Sequence, residues 1–277
     1  PRELRPGPPA PGNRGRLGSD PPLRVLSWNV NGIRSAAAMG FLPWLAQERP
    51  DVLCVQEIKA KAAQLPPELL APPGYTASWN PAERPGYSGV ATLSRTPPLG
   101  VRLGMGIPEF DAEGRVLVTD HGDFLLVNAY FPNGKSGPER LDYKMRFKEA
   151  MGGFCERLRK EERREVLLCG DVNTAHGAID LARPEENEEV SGFLPMERAW
   201  ITRFLSLGYV DTFRSLNPDA KDCYSWWSFR SGARRRNVGW RIDYHFASAG
   251  LAKALKQAFI LPEVAGSDHC PVGVELA

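Results

Sequence analysis

Short apolar runs, each closed by Gly, Pro, Asp or Asn, recur along the chain from Leu23 to Leu276. LRVLSW, DVLCVQ, YTASWN, SGVATLS, RVLVTD, FLLVNAYF, EVLLC, YSWW, RIDYHFAS, QAFILPE and CPVGVEL read as strands. The punctuation between YTASWN and FLLVNAYF makes a meander, so much of the sheet should be antiparallel. A helical period predicts Ala36 to Glu48, with Pro43 bending or splitting it. Short helices are expected at Ala60 to Leu70 and Leu251 to Gln257, and a longer one from Pro195 to Leu207, stopped by Gly208. Ser136 to Glu139 reads as a capping box opening a long helix, along which Phe147, Met151, Phe154 and Leu158 recur. Gly152 and Gly153 weaken that helix by ~1 kcal/mol each, which implies close packing there. Polar residues 179–193 should form a long loop.

The strands fall in two groups, Leu23 to Phe131 and Glu165 to Leu276, and each group has helices long enough to cover one face. Two stacked sheets with helices outside bury all of these faces. A doubly wound parallel sheet is the alternative, and the meander argues against it. The expected class is therefore α+β, with two mixed, largely antiparallel sheets. Residues 23–277 read as one domain. Residues 1–22 are rich in Pro, Gly and Arg and poor in apolar side chains, and read as a flexible basic arm. A chain that opens on Pro rather than Met reads as trimmed or processed.

Candidate chemistry sits where the runs end: Asn29 in SWNVNG, Glu57 in VQE, Tyr130 and Asn133 in NAYFPN, Asp171 and Asn173 in GDVNTAH, Asp243 in RIDYH, and Asp268 with His269 in GSDHCPVGV. Strand ends present side chains from a rigid frame. Taken singly, Glu57 could be a solvated carboxylate, Asp171 an Asx turn, His269 a structural histidine, and Tyr130 with Asn133 a turn closure. Clustered together, the carboxylates would repel one another unless a divalent cation relieved them. Asp243 is a candidate partner that would fix the tautomer of His269. No Ser or Cys stands in a nucleophile-plus-base arrangement, so the pattern points to metal-dependent phosphoester hydrolysis. Trp226, Trp227, Phe229 and Trp240 interleave with Arg230, Arg234, Arg235, Arg236 and Arg241. Core packing is the default for such aromatics, although arginine beside aromatics also grips phosphates and stacks on bases or sugars.

Composition narrows the classes further. The formal net charge of +2 over 277 residues does not by itself announce a nucleic-acid binder. Basic clusters lie at Arg234–Arg236 and between Arg157 and Arg164. No apolar run approaches the ~20 residues of a membrane span, and no signal peptide is visible. Cys54, Cys155, Cys169, Cys223 and Cys270 form no C-x-x-C pair, which disfavours zinc. Cys54, Cys169 and Cys270 should be buried, reduced thiols, as in an intracellular, reducing setting.

WNVNG, QE, YFPN, GDVNTAH, NVGWRIDY and GSDHCPV, in this order and spacing, resemble the exonuclease III family of apurinic/apyrimidinic (AP) endonucleases, from about Leu23 to Ala277. The wider superfamily, which includes inositol-phosphate phosphatases, sphingomyelinases and DNase I-like nucleases, shares Asn29, Glu57, Asp171, Asn173, Asp268 and His269. The stretches GWRIDYHFAS and IDLARPEENEEVSGFLPMER point to its DNA-repair branch. The resemblance implies a four-layer αββα, DNase I-like sandwich with the site at one edge. It implies Mg²⁺, or Mn²⁺ in its place, and a monomer acting on double-stranded DNA with abasic or 3′-blocked sites. Glu57 would be the principal metal ligand, with Asn29, Asn31, Asp171, Asn173, Asp268 and His269 around the ion. Asp171 would orient or deprotonate water, and Asn173 would hold water or phosphate. Tyr130 and His269, the latter paired with Asp243, would meet phosphoryl oxygens. Asn133, Trp226, Arg230 and Trp240 would bind substrate, the tryptophans lining a pocket for the extruded sugar. Asn31 stands where one branch has Asp, and Arg230 where that branch has an apolar DNA-inserting residue. Two other classes stay open: a small-molecule or lipid phosphoesterase on the same scaffold, and a non-catalytic DNA-binding protein.

Overall fold

A computed structural model describes residues 21–277. The arm expected at 1–22 therefore lies, except for its last two residues, outside the described residues. The strands are β1 (Leu23–Asn29), β2 (Val52–Gln56), β3 (Thr76–Asn80), β4 (Val90–Ser94), β5 (Gly100–Leu103), β6 (Val116–Asp120), β7 (Phe124–Tyr130), β8 (Glu165–Asp171), β9 (Tyr209–Asp211), β10 (Trp226–Trp227), β11 (Gly239–Trp240), β12 (Asp243–Ser248), β13 (Leu255–Ile260) and β14 (Val272–Leu276). The helices are α1 (Ile33–Ala38), α2 (Phe41–Glu48), α3 (Pro67–Leu70), α4 (Pro108–Asp111), α5 (Pro138–Lys160), α6 (Pro195–Ser206), α7 (Thr212–Leu216) and α8 (Ala249–Ala252).

Two six-stranded sheets run β13-β14-β1-β2-β4-β3 and β5-β6-β7-β8-β12-β9, and β10 with β11 forms a separate ribbon. Val25, Val52, Cys54, Leu126, Leu167, Cys169 and Val274 pack between the sheets. Residues of α1, α2 and α3 cover the outer face of the first sheet, and α5 with α6 covers that of the second. This is the expected αββα sandwich. Each sheet has one parallel pair at its centre, β1 with β2 and β7 with β8. The helices connecting each pair carry the chain back across the sheet, so β1, β2, β7 and β8 all end at the same edge. Asn29, Glu57, Tyr130 and Asp171 sit at those ends. β12 runs antiparallel to β8, with Asp243 opposite Asp171, which brings Asp243 to the same edge from its strand's beginning.

Several details differ from the sequence reading, among them the helix expected from Leu251 to Gln257, which is α8 up to Ala252 with β13 beginning at Leu255. The sheets are not the two chain segments, because β5, β6 and β7 join the C-terminal strands and β13 and β14 join the N-terminal ones. Periodicity marks strands, whereas pairing is long-range. The first predicted helix breaks at Met39–Gly40, with Gly40 at φ 99°, while Pro43 sits in the first turn of α2, where its missing N–H costs no hydrogen bond. The long helix starts at Pro138 with Gly137 as its cap and no side-chain capping bond, one residue too late for Ser136 to serve. A methyl group at Gly152 would lie 3.9 Å from Trp200, ordinary contact, so no close approach demands that glycine.

Gly170 is a position where glycine is required. At φ 137°, a Cβ there would lie 1.8 Å from the carbonyl oxygen of Ala129. The tight β7–β8 approach directly precedes Asp171 and fixes where its carboxylate stands. Between the sheets Gln56 donates from Nε2 to Ser27 Oγ (3.0 Å) and Asn128 Oδ1 (2.8 Å). These buried bonds fix how the sheets meet beside Glu57 and Tyr130. The Arg157–Arg164 cluster closes α5, where Arg159 and Lys160 pair with Glu156 and complement the helix dipole. It stands at the far end of that 23-residue helix, roughly 34 Å from the helix start near the site edge.

Candidate active site

Glu57, Tyr130, Asn133, Asp171, Asn173, Trp226, Trp240, Asp268 and His269 line one cavity of about 160 Å³, together with Lys135, Ser191, Gly192 and Ile242. Asn29 lies buried beneath it. Its Nδ2 donates to Glu57 Oε1 and to Asp171 Oδ2, both at 2.9 Å, tying one sheet to the other. Asn31 donates to Asp268 Oδ1 at 3.1 Å. The Asn173 backbone N–H donates to Asp171 Oδ1 at 2.8 Å, and its side chain donates to Phe131 O at 2.9 Å. Asn133 stands at the mouth, with Nδ2 3.5 Å from Asn173 Oδ1. Asn31, Glu57, Lys59 and Asn173 all have φ near +50°. Asparagine tolerates that region, but for Glu57 and Lys59 it costs about 1–2 kcal/mol each. Backbone bonds from Gly32 N to Glu57 O (2.7 Å) and from Lys59 N to Ser88 O (2.9 Å) hold them there, and such strain gathers at functional sites.

His269 and Asp243 form the expected pair, with Nδ1 2.8 Å from Asp243 Oδ2. Ser225 Oγ donates to the same oxygen at 2.7 Å, while the other, Oδ1, is buried without a hydrogen-bond partner among the described residues. His269 Nε2 faces Asp171 Oδ2 at 3.7 Å. Burial opposes the imidazolium, but Asp243 and Asp171 outweigh it and carry the His269 pKa to about 10. Burial raises Asp171 to about 7, against the pull of His269. For Glu57, burial pushes upward and is outweighed by Lys59 and the Asn29 hydrogen bond, which leaves its pKa below the ordinary value. Burial and then Glu57 raise Tyr130 well above the usual phenol value. Near neutrality His269 and Tyr130 therefore carry their protons, and Asp171 titrates in that range.

The donor set fits a hard divalent cation. The carboxylates of Glu57 and Asp268 and the amide oxygen of Asn31 are oxygen ligands of the kind Mg²⁺ takes. Lys59 already answers their charge, its Nζ 2.9 Å from Glu57 Oε2 and 2.6 Å from Asn31 Oδ1. Asp171, Asp243 and His269 also bring ligand atoms within 4.8 Å of one another. Asp171 and His269 share the cavity lining with Glu57 and Asp268.

Trp226 and Trp240 pair across the β10–β11 ribbon, edge to face at 6.4 Å. Trp226 Nε1 donates to Asp268 Oδ2 at 3.0 Å, joining the aromatic wall to the carboxylates. Gly192, at φ 106°, lets Trp240 stand close, since a Cβ there would lie 3.1 Å from its ring. Arg230 is exposed and stays outside the cavity lining. Arg241 is buried against Asp180 and Asp211, and Arg234 binds the carbonyls of Ser267, Pro262 and Val264. Both are structural, and Arg234 pins the loop that delivers Asp268. Sequence reasoning missed Lys59, Lys135 and Ser225, which carry no motif of their own. It also missed Arg115, whose buried guanidinium stacks 4.6 Å from the Tyr130 ring centroid and donates to the Tyr130 carbonyl at 2.9 Å.

The sandwich and its edge cavity define a metal-dependent phosphodiester hydrolase. The Endonuclease/Exonuclease/phosphatase family matches residues 26–269, and the chain belongs to that family. It is 44% identical over 251 residues to an exodeoxyribonuclease of Bacillus subtilis, spanning 90% of this chain and 98% of that one. It is 41% identical over 257 residues to the DNA repair nuclease APEX1 of Danio rerio, spanning 92% and 82%. The crystal structure of the AP endonuclease LMAP from Leishmania major superimposes with a TM-score of 0.83 at 32% identity, over 92% of this chain and 88% of that one.

Proposed function

We propose that this chain is a DNA-repair nuclease that hydrolyses the phosphodiester bond on the 5′ side of abasic sites in duplex DNA, with 3′–5′ exonuclease and 3′-phosphodiesterase activity. The observation that carries this reading is the meeting of Glu57, Tyr130, Asp171, Asp268 and His269, from separate chain segments, around one cavity walled by Trp226 and Trp240.

In this reading Asp171 takes the proton of the attacking water, oriented by bonds from Asn29 and the Asn173 backbone. His269, held in register by Asp243 and Ser225, donates from Nε2 to a phosphoryl oxygen. Tyr130 and the Asn173 amide supply further donors where charge grows. Glu57 and Asp268 would hold Mg²⁺, with Mn²⁺ as a substitute, and the bound ion would supply Lewis-acid stabilisation of the phosphoryl and 3′-oxygen charge. Trp226 and Trp240 receive the extruded sugar. Extrusion costs least where no base stacks, which gives selectivity without sequence readout. The protein acts as a monomer inside the cell, wherever the DNA is.

The test is incubation with an end-labelled duplex carrying one abasic site. The expected result is a single incision leaving a polymerase-extendable 3′-hydroxyl with Mg²⁺, and none in EDTA. Intact abasic duplex beside a rapidly cleaved inositol phosphate would overturn the reading in favour of a small-molecule phosphoesterase.

A further inference from the structure

Three ionisable side chains lie buried behind the cavity and take no part in the reaction above. Lys144 and Lys148 stand one turn apart on α5, and Glu197 stands in the first turn of α6. Their exposures are 1%, 0% and 0%. A buried charge is costly unless it is paired and hydrogen-bonded, so its partners show what it holds. Lys144 Nζ donates to the backbone carbonyl of Asn173 at 2.7 Å and to Glu197 Oε1. Ser191 Oγ donates to that carboxylate oxygen at 3.1 Å, and the Gly192 and Leu194 N–H groups donate to Oε2. Lys148 Nζ donates to Thr174 Oγ1 at 2.9 Å and to the Glu197 carbonyl at 3.4 Å.

These partners belong to two segments of the cavity wall. Asn173 and Thr174 follow Asp171, and Ser191 and Gly192 run beside Trp240. Gly192 stands between the two: a Cβ there would lie 3.1 Å from the Trp240 ring and 3.4 Å from the Asn173 carbonyl oxygen, the oxygen that Lys144 binds. Its own carbonyl accepts from Ala175 N at 2.8 Å. Lys144 thus fixes the Asn173 carbonyl, Glu197 fixes the Gly192 N–H, and Trp240 packs on Gly192. Apolar side chains of similar volume would hold α5 on α6 as well as this ion pair does. They could not hold a carbonyl and two N–H groups in register.

We propose that Lys144 and Glu197 are positioning residues whose buried ion pair sets the spacing between Asn173 and Trp240, so that the chemical and the selective parts of the cavity are adjusted together. The inference rests on the proposed nuclease function.

The experiment measures kcat and KM of the full chain with Mg²⁺ on a duplex carrying a tetrahydrofuran abasic analogue and on a duplex with an undamaged recessed 3′ end. Lys144→Met should lower kcat on the abasic duplex by about tenfold, as for one buried acceptor left unpaired. It should also narrow the ratio of kcat/KM, abasic over undamaged, by about fivefold. Lys144→Arg keeps the charge and the donors and should recover most of both. Glu197→Asp leaves no uncompensated charge, so it tests the same claim if Lys144→Met does not fold; it draws the carboxylate back from Gly192 and should narrow the ratio in the same direction. A wild-type ratio in either folded variant, or a fall in kcat equal on both substrates, overturns the inference and leaves the nuclease reading intact. Failure of the wild type to cut either duplex overturns both.

Discussion

The two ends of the cavity are built on different principles. The carboxylate end joins the ends of central strands to the loop carrying Asp268; Asn29 and Asp171 are buried, Glu57 and Asp268 half-buried, and Asn29 bonds across both sheets, with strained backbone at Glu57 and Lys59. The tryptophan end is a two-residue ribbon and loops, tied to the sandwich through Trp226, Gly192 and Arg234. In the proposed mechanism the first end sets the chemistry, where small displacements are costly. The second rests on elements whose alteration would leave the sandwich intact, so it is suited to setting what is admitted. Changes at the carboxylate end should therefore alter turnover, and changes at the tryptophan end should alter selection.

The largest expected effect is at Asp171. Asp171→Asn keeps the shape and removes the proton acceptor, so turnover should fall by about 10³-fold while binding to abasic duplex, read by fluorescence anisotropy, persists. Near-normal turnover would remove Asp171 from its role. Trp240→Ala should lower kcat/KM on abasic duplex by about tenfold, from ~1–2 kcal/mol of lost aromatic contact, with a smaller loss on an undamaged 3′ end. Equal losses on both substrates would erase the division between the two ends.

A third effect is in stability. The His269 pKa stands at about 10 in the fold against an ordinary 6.5. The folded protein thus holds a proton that the unfolded chain releases, and the stability gained is full below about 6.5 and lost as pH rises through about 10. Asp171, raised from 3.8 to about 7, works in the same direction at lower pH. In EDTA, the gap in unfolding free energy between wild type and His269→Asn should narrow as pH is raised across that window; a constant gap would contradict the His269–Asp243 ion pair. The smallest effect concerns the exposed arginines. Neutralising Arg230 should flatten the slope of log affinity against log salt by about 0.9 if it touches a phosphate, with turnover little altered. An unaltered slope removes that contact.

Much of this division was legible in the sequence. Asn29, Glu57, Tyr130, Asp171, Asp243 and His269 announce themselves because each ends or begins an apolar run, and the layers follow from strands and helices that each need one face covered. Sheet membership was not legible: nothing local in RVLVTD or FLLVNAYF says that they pair with EVLLC rather than DVLCVQ. Short elements such as β5, β9 and α7 carry too few residues to show a period. Lys59, Lys135 and Ser225 escaped because a lone lysine or serine gains meaning only from what folds beside it. The arginines show the opposite limit, since the run around Arg234 and Arg241 looked like a phosphate grip and two of its members are internal struts.

The central claim is that Glu57 and Asp268 jointly hold the catalytic cation. Anomalous diffraction from Mn²⁺-soaked crystals tests it directly. The account predicts an ion in this cavity bound by both carboxylates, lost in Glu57→Gln. An ion bound elsewhere, or held by His269 without Glu57, would contradict it.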